Sequence, residues 1–158
     1  MLLKYSIIIF MLIFSLNCQK ETTTTIDADP LGEISKIPEI ELLEVTPLSV
    51  VQYADSISFK IKYLDGDGDL GEPNPDIKTI FLIDSRAPND LIFDFHLSPR
   101  APLDAIIAVQ GELDIILNNT ILVDDVNSSE TATFSIFIKD RAGNESNQLQ
   151  SPEITINP

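Results

Sequence analysis

Apolar and polar residues alternate in two stretches of this chain, and no other feature limits its fold as much. The first stretch is Ser56–Tyr63 (SISFKIKY), and the second is Thr131–Lys139 (TATFSIFIK). Successive side chains of a β-strand point to opposite faces, so a period of two predicts a strand with one buried and one solvated face. Both stretches are therefore predicted to be strands.

Six further segments have the length and composition of strands, with turn-forming residues between them: Ile40–Val45, Lys78–Asp84, Leu91–Leu97, Ile106–Leu117, Thr120–Val123 and Glu153–Asn157. No stretch of ten or more residues shows a helical stripe of apolar side chains. Seven to eight short strands predict an all-β fold, an antiparallel β-sandwich. The ten prolines lie mostly between the strands, as such a fold requires.

The chain begins with a short cationic segment and an apolar run. Lys4 precedes Ile7–Leu16, an almost unbroken run of ten apolar residues. A membrane-spanning helix needs roughly 20 apolar residues, whereas this length fits the apolar region of a secretory signal. Residues 1–17 are therefore predicted to be a signal peptide. An uncleaved hydrophobic anchor, or a signal cut elsewhere, is the alternative.

Cys18 is the single cysteine of the chain, so no internal disulfide can form. The segment that ends at Cys18 resembles a bacterial lipoprotein signal, in which this cysteine is lipidated and becomes the mature N-terminus. Gln19-Lys20-Glu21 resembles the surface-export signal of lipoproteins of the Bacteroidota. These resemblances imply a cell-envelope protein held at the outer membrane by its N-terminal lipid and exposed at the surface. Two or more acyl chains make such an anchor stable.

Residues 18–36 contain a run of threonines and few large apolar groups. Such a segment cannot bury enough surface to offset its ordering entropy, so it is predicted to be a flexible tether. Residues 37–158 are predicted to form one folded domain. The chain carries 25 acidic and 10 basic residues, a net charge of −15. Nucleic acid is excluded as a partner because its binding rests on basic residues.

The stretch YLDGDGDLGEPNPD, residues 63–76, carries five carboxylates among two prolines and three glycines. The D-x-D-x-D spacing of Asp65, Asp67 and Asp69 is typical of loops that surround calcium with oxygen ligands. An acid, Asp76, also stands where an EF-hand places its last ligand. However, the prolines forbid the helix that an EF-hand needs there. The stretch is thus either a calcium loop on the surface of a sandwich or an acidic turn.

A second motif, DRAGN at residues 140–144, precedes the last strand. FSIFIKDRAGNESNQLQSPEITI resembles the last hairpin of bacterial immunoglobulin-like domains. The folded part as a whole resembles small lipoproteins of the Bacteroidota that share the DGDGDLGE and DRAGN motifs. The resemblance implies an immunoglobulin-like sandwich and a role in adhesion, spacing or recognition.

In an immunoglobulin-like sandwich, the loop after the second strand and the loop before the last strand lie at the same end. We therefore predict that the acidic loop and the DRAGN turn meet and share a Ca²⁺ ion. The predicted ligands are Asp65, Asp67, Asp69, Asp76, Asp140 and Asn144. Without a cation, mutual repulsion is expected to raise the pKa of at least one of these carboxyls.

His96 is the only histidine, and no nucleophile–base pair can be recognised around it, so we predict that the protein is not an enzyme. The predicted function is a lipid-anchored binding or structural module of the cell envelope with a protein or glycan partner. The alternative is a glycan-binding accessory lipoprotein of an uptake system. An exposed aromatic patch at Tyr53, Phe93 or Phe95 would favour it. Leu113–Val123 is strongly β-prone and is either core or an edge that recruits a partner strand.

Overall fold

A computed structural model describes residues 34–86, 91–124 and 128–158. The predicted signal peptide, Cys18 and all of the predicted tether before Ile34 lie outside these ranges. The described part is all-β and contains no helix. Among these residues there is accordingly no helix that is long and apolar enough to cross a membrane.

The strands form three sheets in which all but one pairing is antiparallel. The strands are β1 (Glu39–Thr46), β2 (Ser49–Val51), β3 (Ile57–Asp65), β4 (Ile80–Asp84), β5 (Leu91–Phe95), β6 (Val109–Leu117), β7 (Glu130–Ala132), β8 (Phe134–Ile138), β9 (Leu149–Gln150) and β10 (Ile154–Asn157). One sheet has the order β1-β3-β6, the second β2-β10-β7 and the third β5-β4-β8-β9; β2 and β10 run parallel.

The alternating stretches are strands, and their apolar faces build the core. In β3, Ile57, Phe59 and Ile61 are fully buried between more exposed neighbours. The Phe59 ring meets the Phe134 ring of β8 edge-on, with centroids 5.3 Å apart. This contact joins the first and third sheets through a shared core, as edge-to-face aromatic pairs commonly do.

The second alternating stretch is divided into two strands at Thr133. Thr133 is held by two hydrogen bonds to Ser85: the Thr133 N–H donates to the side-chain Oγ of Ser85 at 3.1 Å, and the Thr133 carbonyl accepts from Ser85 N at 2.9 Å. As a result, β7 pairs with β10, whereas β8 pairs with β4. The alternating stretch Thr131–Lys139 thus contributes strands to two different sheets.

The prediction of a strand at Thr120–Val123 is wrong, because side-chain oxygens accept hydrogen bonds from backbone N–H groups of this segment. Glu130 accepts from Val123 N at 2.8 Å, and Gln52 accepts from Leu122 N at 3.3 Å. A strand would need these N–H groups for a neighbouring strand. Two short strands, β2 and β9, were not predicted.

The β-prone segment that begins at Leu113 belongs to β6, which lies at one edge of the β1-β3-β6 sheet. Leu113, Ile115 and Leu117 point into the core and are nearly fully buried. The alternate residues Glu112 and Asp114 are exposed. The segment is therefore core on one face. Its other face also exposes Ile116, and the charges of Glu112 and Asp114 there discourage unspecific strand pairing.

Candidate metal centre

The acidic loop begins where β3 ends, at Asp65, and runs to Gly71. Gly68 and Gly71 have φ angles of +76° and +88°, which L side chains rarely adopt. A Cβ atom at position 68 would also collide with the carbonyl of Ile107, and one at position 71 with the carbonyl of Ser98. Glycine is therefore required for the loop to coil tightly against its neighbours.

The coiled loop gathers three carboxylates around one point. One oxygen each from Asp65, Asp67 and Asp69 lies within 4.8 Å of the other two. Oxygens that bind one Ca²⁺ at about 2.4 Å can be at most about 4.8 Å apart, so this spacing is compatible with a shared ion. The three carboxylates thus lie close together, and their role as metal ligands stays a prediction.

The same three residues carry buried oxygens that have no partner. Oδ1 of Asp65, of Asp67 and of Asp69 is shielded from solvent and accepts no hydrogen bond. Asp65 as a residue is 0% exposed. A buried carboxylate oxygen without a donor is costly, because its desolvation is not compensated. A cation held among the three side chains would offset this cost.

The second carboxylate oxygens of Asp65 and Asp69 are held by backbone donors, which orient these two side chains. Leu70 N donates to Asp65 Oδ2 at 3.1 Å, and Ala142 N donates to Asp69 Oδ2 at 3.0 Å. These bonds leave Oδ1 of each residue unused. The loop is preorganised in this way, which lowers the cost of binding an ion.

Burial and repulsion disfavour the ionised forms of two of the carboxyls. Burial, followed by the charge of Asp67, raises the pKa of Asp65. Burial, followed by the charges of Asp140 and Asp67, raises the pKa of Asp69 to about 6. The ion pairs among the described residues all lie elsewhere, so none of the three carboxyls forms an ion pair with a Lys or Arg.

The DRAGN turn lies against the acidic loop, as predicted. Leu70 and Asp140 form a β-bridge, and Arg141 N donates to Asp69 O at 3.2 Å. Asp140 is 4% exposed, but its two carboxylate oxygens accept from Asn144 N at 2.7 Å and from Asn144 Nδ2 at 2.8 Å. Asp140 thus adds negative charge beside the cluster while its oxygens bind Asn144. A ligand role for either residue stays a prediction.

Asp76 is exposed and lies outside the group of three carboxylates. Its N–H donates to Asn74 Oδ1 at 3.0 Å, within a turn of the Asn-Pro-Asp sequence. The structure does not bring Asp76 to the cluster, and its predicted ligand role stays a prediction.

The sequence did not predict which residues surround the three carboxylates. Asp67 and Asp69 line a recess of about 400 Å³ together with residues from three other segments: Lys36, Leu103, Asp104, Ala105, Ile106 and Arg141. Arg141 Nη1 donates to Gly71 O at 2.8 Å, which fixes its side chain beside the loop. No periodic pattern marks residues 101–107, so nothing in the sequence connects them with the acidic loop.

His96 is not part of the group of three carboxylates, and Tyr53, Phe93 and Phe95 do not line the recess beside it. His96 Nδ1 is 3.1 Å from Ile77 O, which is a local structural contact. Phe93 and Phe95 are partly buried against the core, and Tyr53 is 71% exposed. The three candidate aromatic residues therefore do not form one exposed patch.

Comparison with protein-family models, with curated proteins and with solved structures finds no match to this chain.

The raised pKa of Asp69 predicts an unusual pH dependence for the cation-free protein. The folded chain binds this proton more tightly than the unfolded chain, because the pKa is about 6 when folded and 3.8 otherwise. The stability contributed by Asp69 is therefore greatest at low pH and declines from about pH 4 to about pH 6. Thermal unfolding of the wild type and of Asp69→Asn in EDTA, compared at each pH, isolates this contribution. A wild-type midpoint that rises relative to the variant over this interval would contradict it.

Proposed function

We propose that the protein is a lipid-anchored binding or structural module of the cell envelope whose immunoglobulin-like β-sandwich is stiffened by calcium. In this proposal, Cys18 carries the lipid and residues 18–36 form the tether. The domain is displayed at the outer membrane for a protein or glycan partner. The proposal assigns no catalysis.

The strand neighbours support the immunoglobulin-like part of the proposal. In that fold, the first, second and fifth strands share one sheet, and the third, sixth and seventh share the other. The order β1-β3-β6 corresponds to the first set, and β4-β8-β9 corresponds to the second. The parallel pairing of β2 with β10 joins the start of the domain to its last strand.

The single observation that carries the calcium site is that three grouped carboxylates each have a buried oxygen without a hydrogen-bond partner. All three are hard oxygen donors, which suit Ca²⁺ or Mg²⁺ better than zinc or copper. Ca²⁺ accepts six to eight oxygens in irregular arrangements, whereas Mg²⁺ demands a near-ideal octahedron and retains its waters. Three carboxylates on one irregular loop, two of them beside an open recess, suit calcium better than magnesium.

The glycan-binding alternative receives less support. Sugar rings stack on flat, exposed aromatic groups, and only Tyr53 among the three candidate aromatic residues is largely exposed. Its φ of +59° is a strained conformation for a residue other than glycine. One exposed tyrosine does not make a stacking platform.

Isothermal titration of the purified chain with CaCl₂ tests the site. We expect one binding event for the wild type and none for Asp67→Asn, because the variant replaces an anionic ligand with a neutral one. Asp94→Asn on β5 is the matched control, since it removes the same charge at an exposed position and should bind normally. Absence of binding by the wild type, or normal binding by Asp67→Asn, would refute the assignment.

A further inference from the structure

Beside the cluster, the chain exposes a group of large apolar side chains. Leu103, Ile106 and Ile107 are 57%, 83% and 51% exposed, respectively, and we call residues 103–107 the apolar tip. Single exposed apolar residues are ordinary, but several together on one short loop mark a surface that contacts something apolar.

The apolar tip rests directly on the acidic loop. The carbonyl of Ile107 packs against Gly68 so closely that no side chain would fit there. Leu103 and Ile106 line the same recess as Asp67 and Asp69. An ion held by the carboxylates would therefore be adjacent to the tip, and any ordering of the acidic loop would also position the tip.

The chain enters the domain at this same place. Gly66 N donates to Ser35 O at 2.9 Å, and Lys36 lines the recess with the apolar tip. Cys18 precedes Ile34 by 16 residues. At roughly 3.5 Å per residue, this segment spans at most about 55 Å. A lipid on Cys18 would therefore keep the metal-bearing end of the domain within reach of the bilayer surface.

The charges of the protein limit how this end of the domain can contact a lipid bilayer. The chain has a net charge of −15, which opposes direct contact of the protein body with anionic lipid. At the recess, however, Lys36 and Arg141 line the same surface as Asp67, Asp69 and Asp104 and offset part of their negative charge. A divalent ion with free coordination positions can accept oxygens from a lipid phosphate as well as from the protein. Tethering to the same membrane also raises the effective concentration of lipid at the tip.

We propose that calcium bound at Asp65, Asp67 and Asp69 docks this end of the domain on the phospholipid bilayer, with lipid phosphate completing the ion's coordination and Ile106 inserted among the headgroups. This inference rests on the proposed calcium site and the proposed anchor. It assigns the bilayer, and not a protein, as the partner of the apolar tip. Calcium would then switch the domain between a tethered and a docked position.

The absence of tryptophan from the chain allows a direct test. The Ile106→Trp variant of the full chain is reconstituted in phosphatidylethanolamine and phosphatidylglycerol vesicles that contain brominated phosphatidylcholine, a short-range quencher. In calcium, we expect the emission to shift to shorter wavelength and to lose intensity, with reversal by EDTA. Ile92→Trp is the matched control, because Ile92 is 52% exposed on β5, and its emission should not respond.

The outcomes separate this inference from the calcium site itself. If titration shows calcium binding but Ile106→Trp is not quenched, bilayer docking is refuted while the site stands. Equal quenching in calcium and EDTA, or equal quenching of Ile92→Trp, also refutes it. If titration shows no calcium binding, both proposals fail. Loss of quenching when Asp67→Asn is added to Ile106→Trp supports the inference.

Discussion

Replacing Arg86 with methionine is expected to destabilise the domain by about 3–5 kcal/mol, the usual cost of removing one partner from a buried ion pair. Arg86 Nη2 lies 2.6 Å from Asp84 Oδ2, and Arg86 Nη1 lies 2.6 Å from Glu130 Oε2. The Asp84 side chain is 1% exposed, so without the guanidinium its charge would be buried and uncompensated. Methionine retains most of the aliphatic volume, which separates the electrostatic loss from a packing loss.

The effect should extend beyond the ion pairs, because the network holds an irregular segment in place. Arg86 Nη1 also donates to Ile121 O at 3.0 Å, and Glu130 accepts from Val123 N and Asp124 N. Chemical unfolding followed by circular dichroism measures the change. Arg100→Met removes the same charge at an exposed position and should cost less than about 1 kcal/mol. Equal losses for the two variants would show that the network contributes no special stability.

The strands that could be predicted are those with a local signature. β3 and β8 each place alternate apolar residues on a buried face, and the pleat of a strand requires that spacing. β9, by contrast, has two residues and pairs with β8 only at Ser135 and Ile136. A strand so short has no periodicity of its own and exists because a neighbour is present.

The three-way network at Arg86 could not be predicted, since its members come together only through strand pairing. Glu130 is 44 positions from Arg86 in the chain. The same network explains the failed strand at Thr120–Val123, whose β-prone composition is outweighed by the carboxylate that captures its N–H groups. Long-range polar contacts of this kind leave no pattern in the sequence.

The candidate site was predictable in part, because some of its residues lie close together in the sequence. The spacing of Asp65, Asp67 and Asp69 is local, so their grouping followed from the sequence alone. The meeting of the loop with the DRAGN turn followed from the expected topology. The apolar tip, by contrast, depends on the particular packing of loops, which no local rule specifies.

Calcium is expected to stabilise the domain strongly, because the folded loop presents three anionic ligands that the unfolded chain does not hold together. An ion at 100 times its dissociation constant adds about 2.7 kcal/mol if it binds only the folded state. For a domain of this size, that corresponds to a rise of about 10 °C in the unfolding midpoint. The gain should vanish in acid, where protonation of Asp69, with its pKa of about 6, competes with the ion.

Thermal unfolding of the full chain at neutral pH, first in millimolar calcium and then in EDTA, tests the calcium site most directly. The wild type should lose about 10 °C on transfer to EDTA. Asp67→Asn should unfold at one temperature in both solutions, and Asp94→Asn should behave as the wild type does. Identical midpoints for the wild type in calcium and in EDTA would contradict the calcium site and leave the acidic stretch as a turn.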